Sequence, residues 1–103
     1  MTGVQTCALP IYRGLDLQAA IDAPEWHTDH LISSFFPRET ALRSLAVESR
    51  LGDDAIAGLR RRGHDVTVTG PWELGRVSAV KREGDQLVAA ANARGMQGYA
   101  ICR

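Results

Sequence analysis

Apolar and polar positions first settle into a helical rhythm after Gly14. Leu17, Ala20 and Ile21 recur at the spacing of one helix face, and Asp16 ahead of them carries the side chain an N-cap needs. Pro24 predicts the end of this helix, because its ring pushes the preceding residue out of the α region. Residues 25–43 hold no period; they carry the aromatics Trp26, Phe35 and Phe36 and a second breaker, Pro37. From Ser44 to Ser49 the pattern alternates, with Leu45 and Val47 on one face, which predicts a strand.

Gly52-Asp53-Asp54 opens a second predicted helix whose apolar face is Ala55, Ile56 and Leu59. Aspartates at its start and Arg60, Arg61 and Arg62 at its end complement the helix dipole at both termini. Gly63 suits the left-handed residue that follows a helix. Val66-Thr67-Val68 reads as a short strand, and Gly70-Pro71 as a turn. Two strand-like runs, Arg76 to Lys81 and Gln86 to Ala91, flank a hairpin loop at Arg82-Glu83-Gly84-Asp85. The tail from Asn92 to Arg103 holds Arg94-Gly95, Gly98 and Tyr99. The predicted order is helix, strand, helix, strand, hairpin. Each element has one apolar face and needs a partner layer to cover it.

Composition narrows the classes. A chain of 103 residues holds one domain at most. Apolar residues at 45% and charged residues at 23% are globular proportions and exclude a disordered chain. Twelve basic side chains balance twelve acidic ones, so no electrostatic footprint for nucleic acid or anionic membrane exists. No apolar stretch approaches the roughly 20 residues of a membrane span. Cys7 and Cys102 alone give neither a disulfide framework nor metal-ligand spacing.

Candidate chemistry is sparse. The densest polar cluster is Glu25-Trp26-His27-Thr28-Asp29-His30. A metal reading would use His27, Asp29 and His30, with Glu25 as a fourth ligand. The H-x-x-H spacing is not the pair that a zincin helix presents, so a loop with locally bonded histidines is the stronger reading. Ser33-Ser34 lies near these histidines but lacks the strand–turn–helix elbow of a G-x-S-x-G nucleophile. Asp53-Asp54 is better explained as a helix start than as an acid/base dyad, and His64 as a turn residue. Gly70 to Gly75 lacks the Lys-Ser/Thr of a phosphate-binding loop. Cys102 sits one residue from the end and reads as a small apolar residue. The residues therefore supply no catalytic, cofactor-binding or metal site.

Residues 1–11, MTGVQTCALPI, show neither period and lack the basic start of a signal peptide. The segment resembles a translated sequencing adapter. Read with GTG as a start codon, the adapter encodes Met1 through Ile11, and its leftover T suits the codon of Tyr12. Residues 1–11 are accordingly expected to be non-native, with the natural polypeptide running from residue 12 to 103. Thr2, Cys7 and Pro10 then carry no functional meaning.

Three segments resemble the gamma-glutamyltransferase (glutathione hydrolase) family. GLDLQAAIDAPEWH at 14–27 is similar to a stretch near the C-terminus of the family's small subunit. VESRLGDDAIAGLRRRGHDV at 47–66 resembles the next family segment, a Val-Glu strand followed by a helix and a Gly-His turn. GRVSAVKREGDQLVAAANARGMQGYAICR at 75–103 resembles the terminal hairpin and closing tail. Glu25 stands where the family usually has arginine, which is expected to weaken an ion pair of the parent fold, and Ala93 stands where proline is usual.

The resemblance implies a mixed α/β (α+β) fold: the C-terminal fragment of an N-terminal nucleophile hydrolase αββα sandwich. It implies an enzyme that cleaves gamma-glutamyl amides such as glutathione and passes the acyl group to water, amino acids or peptides. In the family the N-terminal threonine of the small subunit is the nucleophile, its own amino group is the base, and a Gly-Gly pair supplies the oxyanion amides. All of these map upstream of Tyr12, so no catalytic residue carries over. The implied partners are the large subunit and the rest of the small subunit, with a small-molecule substrate in the parent; no cofactor is implied. The competing readings are a non-catalytic α/β binding or scaffold module and a small metalloprotein using His27, Asp29 and His30.

Overall fold

A computed structural model describes residues 9–11, 13–94 and 99–101. Its elements run α1 (Leu17–Asp22), β1 (Trp26–His27), β2 (Ser44–Glu48), a 3-10 turn (Ser49–Leu51), α2 (Asp53–Arg61), β3 (Asp65–Thr69), β4 (Ser78–Glu83) and β5 (Gln86–Ala91). The chain divides into two compact units: Pro24–Leu74, and the flanking segments on either side of it.

The unit formed by Pro24–Leu74 is a three-stranded sheet in the order β1-β2-β3. β2 and β3 run parallel, joined through α2, and β1 pairs antiparallel to β2. Parallel strands need such a crossover because a tight turn cannot reverse the chain twice. Leu45 and Val47 share one face of β2, as the alternation predicts, and the register sets Trp26 beside Val47 and Val66 beside Leu45. Ile56 of α2 closes the core with Val47 and Val66, and Leu51 and Leu59 pack at its margin.

α2 begins and ends as its sequence dictates. Gly52 at its N-cap has φ +95, and Asp53 and Asp54 occupy the first turn. At the other end the amide of Gly63 donates to Arg60 O (3.0 Å) and that of His64 to Leu59 O (3.3 Å). This is the Schellman pattern, and it requires the left-handed residue supplied by Gly63 at φ +92.

The other unit lays α1 against the β4–β5 hairpin. Asp16 caps α1 by accepting the Ala19 amide at 2.8 Å. Ala20 and Ile21 are buried, as is Ala90 on β5. Gln18 on the polar side of α1 donates to Ala91 O at 3.1 Å. The hairpin register pairs Glu83 with Gln86, so the loop is only Gly84-Asp85. Gly84 takes φ +59 at the first central position, as a type II′ turn requires.

The structure changes the expected order in three places. β1 is an additional strand in a stretch expected to be irregular; its two residues are too few to show alternation. The hairpin is shifted, with strand from Ser78 rather than Arg76, and with Arg82 and Glu83 in β4 instead of the loop. Their charges face solvent on an exposed ribbon, where polarity does not distinguish strand from turn. Leu9, Pro10 and Ile11, expected to be aperiodic, are helical; the proline ring fixes φ near the helical value, so a short helical stretch accommodates Pro10.

Candidate functional site

The polar cluster at residues 25–30 leads into a loop held by short-range bonds. His27 Nε2 and Asp29 Oδ1 are 2.8 Å apart. His30 Nδ1 accepts the Arg43 amide at 2.8 Å, which holds Arg43 at φ +64. Thr40 Oγ1 donates to the His30 carbonyl at 2.8 Å, and Thr28 Oγ1 to the Ser44 carbonyl at 2.6 Å. Each histidine thus has one ring nitrogen engaged locally, as the loop reading expects. Among the described residues no group of three or more potential ligands could hold a metal ion.

The other candidates are likewise taken up by local structure. Ser33 Oγ accepts the Phe35 amide at 3.3 Å, a turn contact, and no hydrogen bond among the described residues joins Ser33 or Ser34 to a histidine. Asp53 and Asp54 start α2, and His64 follows its end. Gly70 N donates to Glu73 Oε2 at 2.9 Å in a turn. Thr2, Cys7, Cys102 and the stretch 95–98 lie outside the described residues.

Two buried polar groups stand out instead. Glu48 lies on the face of β2 opposite Val47, where an exposed side chain is expected, yet it is fully buried. Its Oε2 accepts from Glu25 N (3.0 Å) and Arg50 Nη2 (3.0 Å), and its Oε1 from Leu74 N (3.2 Å). Arg50 also donates through Nε to Pro71 O at 2.6 Å, and its guanidinium lies 3.5 Å from the centre of the Trp72 ring. One carboxylate therefore ties the entry of β1 to the turn after β3. Glu25 is buried with it and joins it through backbone: Glu48 N donates to Glu25 O at 3.1 Å.

In the other unit Arg94 is buried and reaches the end of α1. Its Nη1 donates to Ile21 O at 2.8 Å and its Nη2 to Ala23 O at 2.9 Å. The last carbonyls of a helix lack intrahelical partners and carry partial negative charge, so a guanidinium satisfies both needs. Asn92 Oδ1 accepts the Arg94 amide and sets the approach. Glu48 and Arg94 perform structural work: each is buried and bonds backbone distant in sequence.

A helix on a hairpin in one unit and a β-α-β sheet in the other make a mixed α+β fold, and its solved structural neighbours are N-terminal nucleophile hydrolases. The gamma-glutamyltranspeptidase family model matches residues 2–102, and the chain belongs to that family. A solved structure of LmbA2991 is 48% identical with a TM-score of 0.91; the match covers 99% of this chain and 19% of that one. A cephalosporin acylase from Bacillus halodurans is 28% identical with a TM-score of 0.68, over 90% of this chain and 16% of the other. The gamma-glutamyltranspeptidase from Pseudomonas nitroreducens complexed with L-DON shares the fold at 18% identity and a TM-score of 0.71, over 99% of this chain and 49% of the other. The chain thus spans about a fifth of the length of LmbA2991. No curated protein matches it. No described helix is long and apolar enough to cross a membrane.

Proposed function

We propose that this chain is the C-terminal part of the small subunit of an enzyme that cleaves gamma-glutamyl amides, and that alone it is inactive. In the whole enzyme an N-terminal threonine attacks the gamma-glutamyl carbonyl and expels the amine. Water or an amino acid then takes the acyl group from the threonine ester. The threonine, its oxyanion amides and the residues that hold the substrate all come from chain outside residues 12–103. This chain contributes a packed layer that supports them. The observation that carries the proposal is the family match across residues 2–102 of a chain that spans only 19% of LmbA2991.

The surface fits a piece of a larger assembly. Leu31, Ile32, Phe35, Phe36 and Leu42 are exposed on one loop, Phe35 at 82% and Phe36 at 95%. Apolar side chains grouped in this way mark surface that another layer covers. The large subunit and the remainder of the small subunit are the proposed cover.

Residues 1–11 are, on the same proposal, adapter-encoded. Amplification across the junction from source DNA tests this: a genomic template that encodes Met1 through Ile11 refutes it. The same read, extended upstream, is expected to show a threonine codon for the nucleophile and a Gly-Gly-Ser/Thr-Arg stretch just ahead of Arg13. A source gene without them would sink the functional reading.

A further inference from the structure

Within Pro24–Leu74 a hollow of about 400 Å³ opens where the start of β2 meets the end of α2. Arg43 and Arg62 line it together with His30 and His64, and no carboxylate does. Neither guanidinium has an ion-pair partner among the described residues. Guanidinium groups are donors only and stay charged at any physiological pH. His30 adds another donor: its Nδ1 accepts the Arg43 amide, so its proton must reside on Nε2. Ser44 Oγ accepts the Asp29 amide at 3.0 Å, leaving its hydroxyl proton to donate. The polar side of the hollow is therefore rich in donors and cationic.

The floor has the opposite character. Trp26 and Leu45 line the hollow, and both also wall an adjoining one of about 360 Å³ formed by Val47, Leu51 and Leu59. This second hollow exists because α2 covers β2 and β3 through Ile56 but leaves the side toward Trp26 open. A cationic rim beside an apolar slot selects a ligand with an anionic head and an apolar tail. Guanidinium pairs bind carboxylates in a directed, charge-assisted way. Each hollow lies within the range of about 300–1,000 Å³ typical of small-molecule sites.

We propose that this groove binds a small amphipathic carboxylate, with the carboxylate between Arg43 and Arg62 and an aryl or branched alkyl tail over Trp26 and Leu45.

The test uses the full chain. It has two tryptophans, so Trp72→Phe leaves Trp26, on the floor of the groove, as the sole indole reporter. Titration with 4-phenylbutyrate is expected to change its emission saturably, and 4-phenylbutan-1-ol, which keeps the tail and loses the charge, to bind more weakly. Losing two charge-assisted contacts in the double variant Arg43→Gln/Arg62→Gln should raise Kd by roughly tenfold or more. Arg38→Gln, which lies outside the groove, should leave Kd unchanged. Saturation-transfer NMR on the unsubstituted chain repeats the comparison without touching Trp72. Equal affinity for acid and alcohol, an unaffected double variant, or no binding of the acid to the unsubstituted chain would each overturn the proposal.

Discussion

Replacing Glu48 with alanine probes how far the Pro24–Leu74 unit depends on one buried carboxylate. The side chain is fully buried and accepts the Glu25 amide at 3.0 Å and the Leu74 amide at 3.2 Å. Alanine strands both donors, and each buried donor left unpaired costs about 1–3 kcal/mol. The Leu74 bond is only part-buried and belongs at the low end. The Arg50 contact adds little, because that side chain is 25% exposed and keeps its bond to Pro71 O. Relief of the carboxylate's own desolvation works in the opposite direction. The net expectation is a loss of about 2–4 kcal/mol for Glu48→Ala. Glu48→Gln keeps the volume and one acceptor oxygen, so its loss should be smaller, about 1–2 kcal/mol. Urea unfolding of the full chain followed by tryptophan fluorescence measures both. Trp72 reports locally because Arg50, bonded to Glu48, stacks on its ring. If both variants unfold within about 0.5 kcal/mol of the unsubstituted chain, the reasoning fails.

Other substitutions test the remaining joints. Arg94→Ala should detach α1 from its cap and cost about 2–4 kcal/mol, seen as faster amide exchange in Leu17–Asp22, whereas Arg94→Lys should recover only part because it lacks the fork. Gly63→Ala should lower stability by about 1 kcal/mol in the same urea assay. Open space surrounds its Cβ position, so the strain of φ +92 is the whole effect. Phe35→Ser with Phe36→Ser should change stability by less than about 0.5 kcal/mol but reduce self-association in sedimentation, since both rings are exposed.

Much of the local structure was legible because it is locally determined. Asp16, Gly63 and Gly84 each answer a requirement of their own turn, so the cap and the helix stop fall where the sequence puts them, and the hairpin turns at Gly84 although its strands are shifted. Leu45 and Val47 declared the core face of β2 through alternation alone. β1 was invisible because two residues hold no period and its pairing partner, β2, begins at Ser44. The burial of Glu48 has no local signal for the same kind of reason: alternation puts it on the face opposite Val47, but the backbone that buries it lies 23 and 26 residues away. Arg94 bonds carbonyls 73 and 71 residues earlier, and no local signal reports such a distance. The resemblance placed the tail around Arg94 within a family pattern, but left the residue's physical role to the structure. At His27, Asp29 and His30 the structure shows local bonds, between His27 and Asp29 and from the Arg43 amide to His30.

The most direct test of the central claim is cleavage of gamma-glutamyl-p-nitroanilide by two purified proteins: residues 12–103 alone, and the same residues restored within the full parent gene. The account predicts p-nitroaniline release only from the restored enzyme. Release by residues 12–103 alone would contradict it and place a nucleophile in this chain, with Ser33, Ser34 and Cys102 the first to replace.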